Sequence, residues 1–436
     1  MAGISPVELL QTLIRFDTTN PPGNEAEAIG YLDGLLAACG VRPMILAKDP
    51  ARPNLVARLA GRGEAPPFLM QGHIDVVPTT GQQWARDPMS GEIVDGFLWG
   101  RGTLDMKGGV AMMIDAFLRL ADADEPPAGD IILCILSDEE AGGEFGARFL
   151  VEKHPELFEG VKHCIGEFGG FPLHLAGRSF YPVQVAERVG VRFELTFRGP
   201  AGHGSLPMEG GAMAKLGRAL NRLDRKRMPV DIVPATRMML QAMVDNTEGA
   251  TRRALQALLS RRTAGPALKI LSSQLSVMEP VLRNTVNATM VRGGDKYNVV
   301  PAEISLTLDG RMLPGLHPDQ MADELRDIVG KDVEITYHSE GLLPPDQPDM
   351  SLFPLLAELL VEMDPDAIPI PFLLPAVTDG RWFNQLGIQH YGFLPMRLLA
   401  DYEFQATVHA ADERIPVDAL QQGADTILEL LLRYEG

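Results

Sequence analysis

The sequence predicts an α/β protein with a smaller α+β domain inserted into it. Three observations carry this. Over residues 1–170, apolar strand-like runs alternate with helical segments, and several of these runs end in acids and glycines. Near residue 187 the pattern changes to runs that alternate apolar and polar residues, as strands with one solvated face do. At 436 residues the chain is also too long for one ordinary core.

Residues 6–16 place apolar side chains at helical spacing, and the breakers from Asp17 to Gly23 end that helix. Residues 25–39 resume a helix, closed by Gly40. Residues 44–46 and 54–59 read as strands. Residues 68–70 lead into a central stretch, Gln71 to Gly109. It holds a His-x-Asp pair, His73 and Asp75, and a lone acid, Asp105, between glycine-rich turns. A helix follows over 110–120. The run at 131–137 (IILCILS) reads as a strand buried on both faces. It opens into Asp138-Glu139-Glu140-Ala141-Gly142-Gly143. A helix near 144–153 precedes a strand at 161–165, which ends in Gly166-Glu167-Phe168-Gly169-Gly170. The inserted part begins with a strand at 188–198 and the loop GPAGHGSLP. Then come a basic helix at 211–227, a methionine-containing segment at 229–280, alternating runs at 284–292 and 299–311, a helix at 318–329 and a strand at 333–338. Two helices and about four strands make an α+β domain. Helices at 351–363 and 416–433 complete the first domain. The expected division is 1–186 with 341–436, and 187–340.

Hydrophobic content of 45% and charged content of 22% are those of a soluble globular protein. The net charge, 39 − 58 = −19, disfavours nucleic acid, whose binding relies on Lys and Arg at phosphates, and anionic membrane surfaces. No apolar run is long enough to span a bilayer, and the N-terminus lacks a basic segment before an apolar one. A cytoplasmic protein is expected. Three cysteines without a Cys-x-x-Cys argue against a disulfide framework or a cysteine zinc knuckle. Cys134 and Cys164 are expected as buried thiols.

Five strand exits carry candidate metal ligands: His73, Asp105, Glu140, Glu167 and His409. Two imidazoles and three carboxylates suit zinc or a related divalent ion. Five ligands exceed the need of one open catalytic zinc and fit two ions sharing a carboxylate, ~3.5–4 Å apart. Asp75 can orient the His73 imidazole, and Glu139 can serve as general base. Taken singly, each feature has an ordinary reading: an ion pair or cap for His-x-Asp, a solvated turn for Glu139-Glu140. The stretch at Gly100–Gly109 is no phosphate loop, lacking both G-x-G-x-x-G and a GK[ST] ending. No Lys or Arg stands at the exits to neutralise the acids, and clustered acids repel unless a cation joins them.

The segments GHIDVVP, Trp84–Gly91 (W-x-x-D-P-x-S-G), DGFLWGRGTLDMKGG, SDEEAGG, GHGSLP, NVVPAEISLTLDGR, TDGR and HAADERI run along nearly the whole chain. With them the sequence resembles the aminoacylase/carboxypeptidase family of dinuclear zinc metallopeptidases, which includes glutamate carboxypeptidase, aminoacylase, acetylornithine deacetylase and succinyl-diaminopimelate desuccinylase. The resemblance implies an α/β catalytic domain, with a mixed sheet flanked by helices, plus an inserted α+β lid or dimerisation domain. It implies two Zn2+, with Co2+ or Mn2+ as possible substitutes. His73 and Glu167 would hold one ion, Glu140 and His409 the other, with Asp105 between them. Glu139 would be the general base and Asp75 would tune His73. His203 would polarise the scissile carbonyl, in dimeric members from across the interface, so a homodimer through the lid is expected. Asn298 and Arg311 would grip the substrate near its carboxylate. The peptide Asp105–Met106 would be cis.

Two departures from the family pattern stand out. Gly166-Glu167-Phe168-Gly169 replaces Asp/Asn-Glu-Gly-Gly. Ala376-Val377-Thr378-Asp379, followed by Gly380-Arg381, replaces Gly-Gly-Thr-Asp. Arg381 reads as a second anion contact or as a structural residue. The 229–280 segment looks like an insertion shared with the carboxypeptidase S and N-acyl-amino-acid hydrolase branch. Its methionines suit a lipophilic acyl pocket or an ordinary lid core. The expected reaction is zinc-dependent hydrolysis of an amide bond in a small peptide or N-acyl amino acid bearing a free carboxylate, by a water between the ions. The alternatives are a biosynthetic deacylase of the acetylornithine or succinyl-diaminopimelate type, and a non-catalytic metal-dependent binding protein.

Overall fold

The apolar runs of the sequence become neighbours in one mixed sheet. In the computed structural model of the chain, which describes residues 4–270, 278–339, 343–399, 402 and 404–436, the nine-stranded sheet has the spatial order 44–46, 54–59, 131–136, 68–73, 163–166, 389–392, 178–187, 367–374, with 173–175 paired to 178–187. The strand Phe68–His73 runs parallel to both Ile131–Leu136 and His163–Gly166. The strand Asn54–Leu59 is antiparallel to Ile131–Leu136. Successive side chains of a strand face opposite sides, and here both sides are covered. Phe68, Met70, Ile131, Leu133 and Ile135 join a core with the helices Pro6–Ile14, Lys107–Ala121 and Val417–Arg433. Leu69, Ile132, Cys134, Leu136 and Cys164 join another with Leu150, Trp382 and Phe383. This is why the runs read as continuously apolar. Cys134 and Cys164 are buried free thiols, and Cys39 is exposed.

Two compact units divide the chain: 1–185 with 349–372 and 378–436, and 186–348 with 373–377. The second unit holds a four-stranded antiparallel sheet in the order Thr285–Arg292, Glu303–Met312, Val189–Arg198, Glu334–Ser339. Val191, Phe193, Leu195 and Phe197 alternate inward and pack with Leu216 and Leu325, from the helices Ala212–Arg225 and Pro318–Val329. The 229–280 segment, read from sequence without assigned elements, contains three further helices, Pro234–Asp245, Gly249–Leu258 and Arg261–Ile270. The domain thus has five helices among its described residues rather than the two expected. The interruptions at Asn246–Glu248 and Leu259–Ser260 leave each helix too short to show a strong period. Among the described residues, no helix is long and apolar enough to cross a membrane.

Two buried ionic side chains fix the loops that deliver the site. Lys107, fully buried, donates to the carbonyls of Leu13 (3.0 Å) and Phe16 (2.8 Å), satisfying the C-terminal end of the first helix. Glu413, also fully buried, organises residues 100–105. Its Oε1 accepts the amides of Gly102 (3.1 Å), Leu104 (2.8 Å) and Asp105 (3.3 Å), and its Oε2 pairs with Arg101 Nη1 at 2.5 Å. Removing one partner of such a pair leaves the other charge buried. Glu413→Ala is expected to lower unfolding free energy by ~3–5 kcal/mol in denaturant titration; a loss within the error of the titration would show that the pair does not hold this loop.

Candidate metal centre

Strand exits deliver three of the five expected ligands, His73, Glu140 and Glu167, whereas Asp105 precedes a helix and His409 follows one. His73 is the last residue of its strand and Glu167 directly follows the strand His163–Gly166. Asp105 lies in the loop before the helix Lys107–Ala121; the Asp105–Met106 peptide is cis. Glu139 and Glu140 begin a single helical turn after the strand Ile131–Leu136. His409 follows the short helix Phe404–Thr407, and its loop is fastened by Gln82 Nε2 donating to the His409 carbonyl at 2.8 Å.

The structure brings these five together in two groups that share Asp105. Donor atoms of His73, Asp105 and Glu167 lie within 4.8 Å of one another, as do those of Asp105, Glu140 and His409. Asp105 turns one oxygen to each group. Oδ1 lies 3.1 Å from His73 Nε2, and Oδ2 lies 3.0 Å from His409 Nε2. Glu167 Oε2 is 3.5 Å from His73 Nε2, and Glu140 Oε1 is 3.3 Å from His409 Nε2.

The electrostatics are those of a site short of positive charge. Burial pushes the Glu167 carboxyl up to about 8 and, with Glu167 nearby, raises Glu139 well above the carboxylate range. Burial also raises Glu140 and takes Asp379 up to about 7. The imidazoles respond in the opposite sense. Hydrogen bonds to Asp105 and Glu140 raise His409 to about 10. Burial opposes charge on His73, but its bonds to Asp105, Asp75 and Glu167 outweigh it and raise the ring well above its ordinary value. Asp105 is held low despite burial, by the two imidazoles. Glu140 Oε1 is buried, with His409 Nε2 3.3 Å away. Three carboxylates and two imidazoles converging this closely fit a pair of divalent cations in place of these protons.

A buried network sets the angle of the Glu139–Glu140 turn. Asp75 accepts the amides of Glu139 (Oδ1, 3.0 Å) and Glu140 (Oδ2, 3.1 Å), and the side chain of Asn20 at 2.8 Å. His73 Nδ1 lies 3.0 Å from the Asp75 carbonyl oxygen and 3.5 Å from its carboxylate. Asp75 therefore ties His73 to the acidic turn, rather than serving the imidazole alone. Asp138 pairs with Arg52 at 2.7 Å, and Arg52 also pairs with Glu25 at 2.5 Å. The exits thus do carry a cation, from a distant segment. Among the described residues, six non-glycine residues have positive φ. Three belong here: Asp138 (71°), Phe168 (68°) and His409 (61°). Such conformations persist where surrounding structure enforces them, and they gather at functional sites.

Of the remaining expected residues, His203, Asn298 and Arg311 belong to the second unit and Arg381 to the first. His203 and Asn298 are in the second unit and are neighbours there. His203 pairs with Val299 across a two-stranded ladder, and Gly204 N donates to the Asn298 carbonyl at 2.8 Å. His203 is exposed, with Nδ1 2.7 Å from Ser205 Oγ. Arg311 is half-buried on the strand Glu303–Met312 and pairs with Asp309 at 3.1 Å. Arg381 is in the first unit; its Nη2 donates to the Gly142 carbonyl at 3.0 Å, and its guanidinium lies over the Trp382 ring. Sequence reasoning missed Asn20, Arg52, Glu413 and Asp379. Asp379 is 1% exposed, and neither carboxylate oxygen has a hydrogen-bond partner among the described residues. Glu413 and Asp379 lay within quoted segments, HAADERI and TDGR, yet nothing in their spacing named a partner.

Known proteins share this architecture. The fold matches the crystal structure of an M20 family metallo-carboxypeptidase, Sso-CP2 from Sulfolobus solfataricus, with a TM-score of 0.69 over 99% of each chain at 17% identity. In sequence the chain is 27% identical to a probable carboxypeptidase S-like 2 of Dictyostelium discoideum, over 85% of this chain and 72% of that one. It is 28% identical to the N-fatty-acyl-amino acid synthase/hydrolase PM20D1 of Xenopus tropicalis, over 84% and 72%. Residues 69–433 match the model of peptidase family M20/M25/M40, and the chain belongs to that family as a metallopeptidase or amidohydrolase.

Proposed function

We propose that the protein hydrolyses the amide bond of a peptide or N-acyl amino acid that carries a free carboxylate. The observation that carries this reading is Asp105, whose two oxygens each face one half of a five-ligand cluster. In this reading His73 and Glu167 hold one divalent ion, Glu140 and His409 the other, and Asp105 both. The donor set suits zinc, with Co2+ or Mn2+ as substitutes. The names of the two relatives, a carboxypeptidase and an N-fatty-acyl-amino acid hydrolase, support the substrate class.

Lewis acidity toward the scissile carbonyl and the attacking water is the chemistry such a pair of ions supplies when bound. The protein's own groups do the rest. Glu139, next in sequence to a ligand and held by its amide on Asp75, takes the proton of the water and passes it to the leaving nitrogen. His203 donates to the developing oxyanion. Arg311, with Asn298, fixes the carboxylate of the released amino acid.

The direct test is a substrate panel read by mass spectrometry with zinc-loaded protein. It holds dipeptides, N-acetyl and long-chain N-acyl amino acids, acetylornithine and succinyl-diaminopimelate. Cleavage of the first two classes is expected. Cleavage confined to acetylornithine or the succinyl compound would move the protein to the biosynthetic deacylases.

Two further outcomes follow from the roles. Glu139→Ala is expected to lose ~10²–10⁴-fold in kcat while retaining two metal ions per chain by elemental analysis. Loss of metal in step with activity would make Glu139 a structural residue. Metal must displace the protons that Glu167 holds below about 8 and His409 below about 10. Apparent metal affinity should therefore fall as pH is lowered from 8 to 6, with protons released on binding. Calorimetry in buffers of different ionisation enthalpy checks this; a pH-independent affinity would contradict it.

A further inference from the structure

A buried arginine stands behind the arginine assigned to the substrate's carboxylate, and both belong to the second unit. Arg188 directly precedes the strand Val189–Arg198 and is 3% exposed. Its Nη2 donates to the Arg311 carbonyl and to Thr285 Oγ1 (2.9 Å), with the Arg283 carbonyl at 3.4 Å.

These acceptors frame Arg311. Arg311 is the next-to-last residue of the strand Glu303–Met312. It stands opposite Gly190 on one side and Thr285 on the other. Gly190 offers no side chain, so Thr285 is the cross-strand neighbour that bounds the Arg311 side chain. The Thr285–Arg311 pair also ends its ladder, and ladder ends open most readily. Arg188 ties both members of this terminal pair to one buried group.

The charge of Arg188 shows that more than hydrogen bonding is involved. Burial and the nearby Arg311 cation pull its guanidinium down to about 10. Asp309, the acid whose charge reaches it, is paired with Arg311 instead. A neutral amide side chain would offer N–H donors without burying one cation beside another. What a guanidinium adds is a planar fork held in a single orientation.

We propose that Arg188 is a positioning residue for carboxylate recognition: it fixes the main chain of Arg311 against Thr285, so that the Arg311 guanidinium meets the substrate's free carboxylate in one orientation. This rests on the amide-hydrolase reading above. Arg188 acts through Arg311 and, being buried, does not itself touch the substrate.

The test uses zinc-loaded wild type, Arg188→Met, Arg188→Lys, Arg311→Met and the double variant Arg188→Met/Arg311→Met. Each is assayed on one amide that the panel shows cleaved, and on the same compound with its carboxylate converted to a carboxamide. Wild type should prefer the carboxylate. Arg188→Met should cut the carboxylate-to-carboxamide ratio of kcat/KM by ~10-fold or more, mainly through KM. Arg188→Lys, which keeps the charge and loses the fork, should cut it less. The double variant should show the ratio of Arg311→Met alone, because the two residues act as one unit. Thermal melts accompany each variant, and Arg188→Lys decides the question where Arg188→Met melts early. A role confined to stability lowers both substrates alike, so an unchanged ratio in active variants overturns the proposal. A double variant whose ratio falls below that of Arg311→Met also overturns it. A wild type indifferent to the carboxylate overturns it together with the free-carboxylate requirement, and leaves amide hydrolysis standing. No cleavage of any amide overturns both.

Discussion

Buried negative charge is the constraint around which the first unit is arranged. Asp105 sits between two imidazoles, one on each oxygen, and two further carboxylates reach the same imidazoles. Such a cluster is stable only with protons or metal cations among the acids, as the raised Glu139 and Glu167 carboxyls show for the protein's own groups. The surrounding structure is built to hold it. Asp105 is aimed by a loop whose amides are collected on Glu413. The acidic turn is aimed by two amides collected on Asp75. In both cases a buried carboxylate gathers backbone N–H groups, and the site's geometry becomes a property of the backbone rather than of mobile side chains.

How much of this could be read from sequence depended on distance along the chain. The strands were legible because both faces of the sheet are covered, which makes 131–136 apolar without alternation. Among the candidate ligands, His73 and Glu167 were legible because each stands beside a glycine where an apolar strand ends. The supporting groups were not. Arg52 meets Asp138 across 86 positions, and Arg101 meets Glu413 across 312. Each is an ordinary charged residue in its own neighbourhood, so the exits looked free of cations when one was supplied from elsewhere. The three helices of 234–270 were hidden differently: short segments with breaks between them dilute a 3.6-residue period.

The second unit shows how two distant segments can make one feature. GHGSLP and NVVPAE are separated by ninety residues in sequence. A two-residue ladder joins them, His203 opposite Val299, and the Asn298 carbonyl receives the Gly204 amide. His203 and Asn298 are therefore fixed relative to each other by main-chain bonds. Arg311 comes from a different strand and is held by Asp309, two residues before it and on the same face of that strand. A side chain already paired in this way loses less rotamer freedom on meeting an anion, which favours its use as a grip over a free surface arginine.

Left-handed backbone at the centre points to selection for placement over local comfort. Asp138, Phe168 and His409 each occupy a conformation better suited to glycine. Asp138 precedes the Glu139–Glu140 turn, and the αL residue sends the chain sharply from the strand Ile131–Leu136 into that turn. Its side chain also gains Arg52 and the Phe145 amide, at 2.7 and 3.0 Å, contacts that a glycine there would forfeit. His409 is itself a candidate ligand, so an imidazole is required where the backbone turns. Phe168 has neither excuse. Its side chain is apolar, and close backbone packing of the glycines after it sets the turn. What distinguishes it from a glycine is the ring, which packs edge-on against Phe171 and Phe404 at the margin of the main core. The same strain thus has three separate causes around one cluster: an ion pair, a candidate ligand and a packed ring.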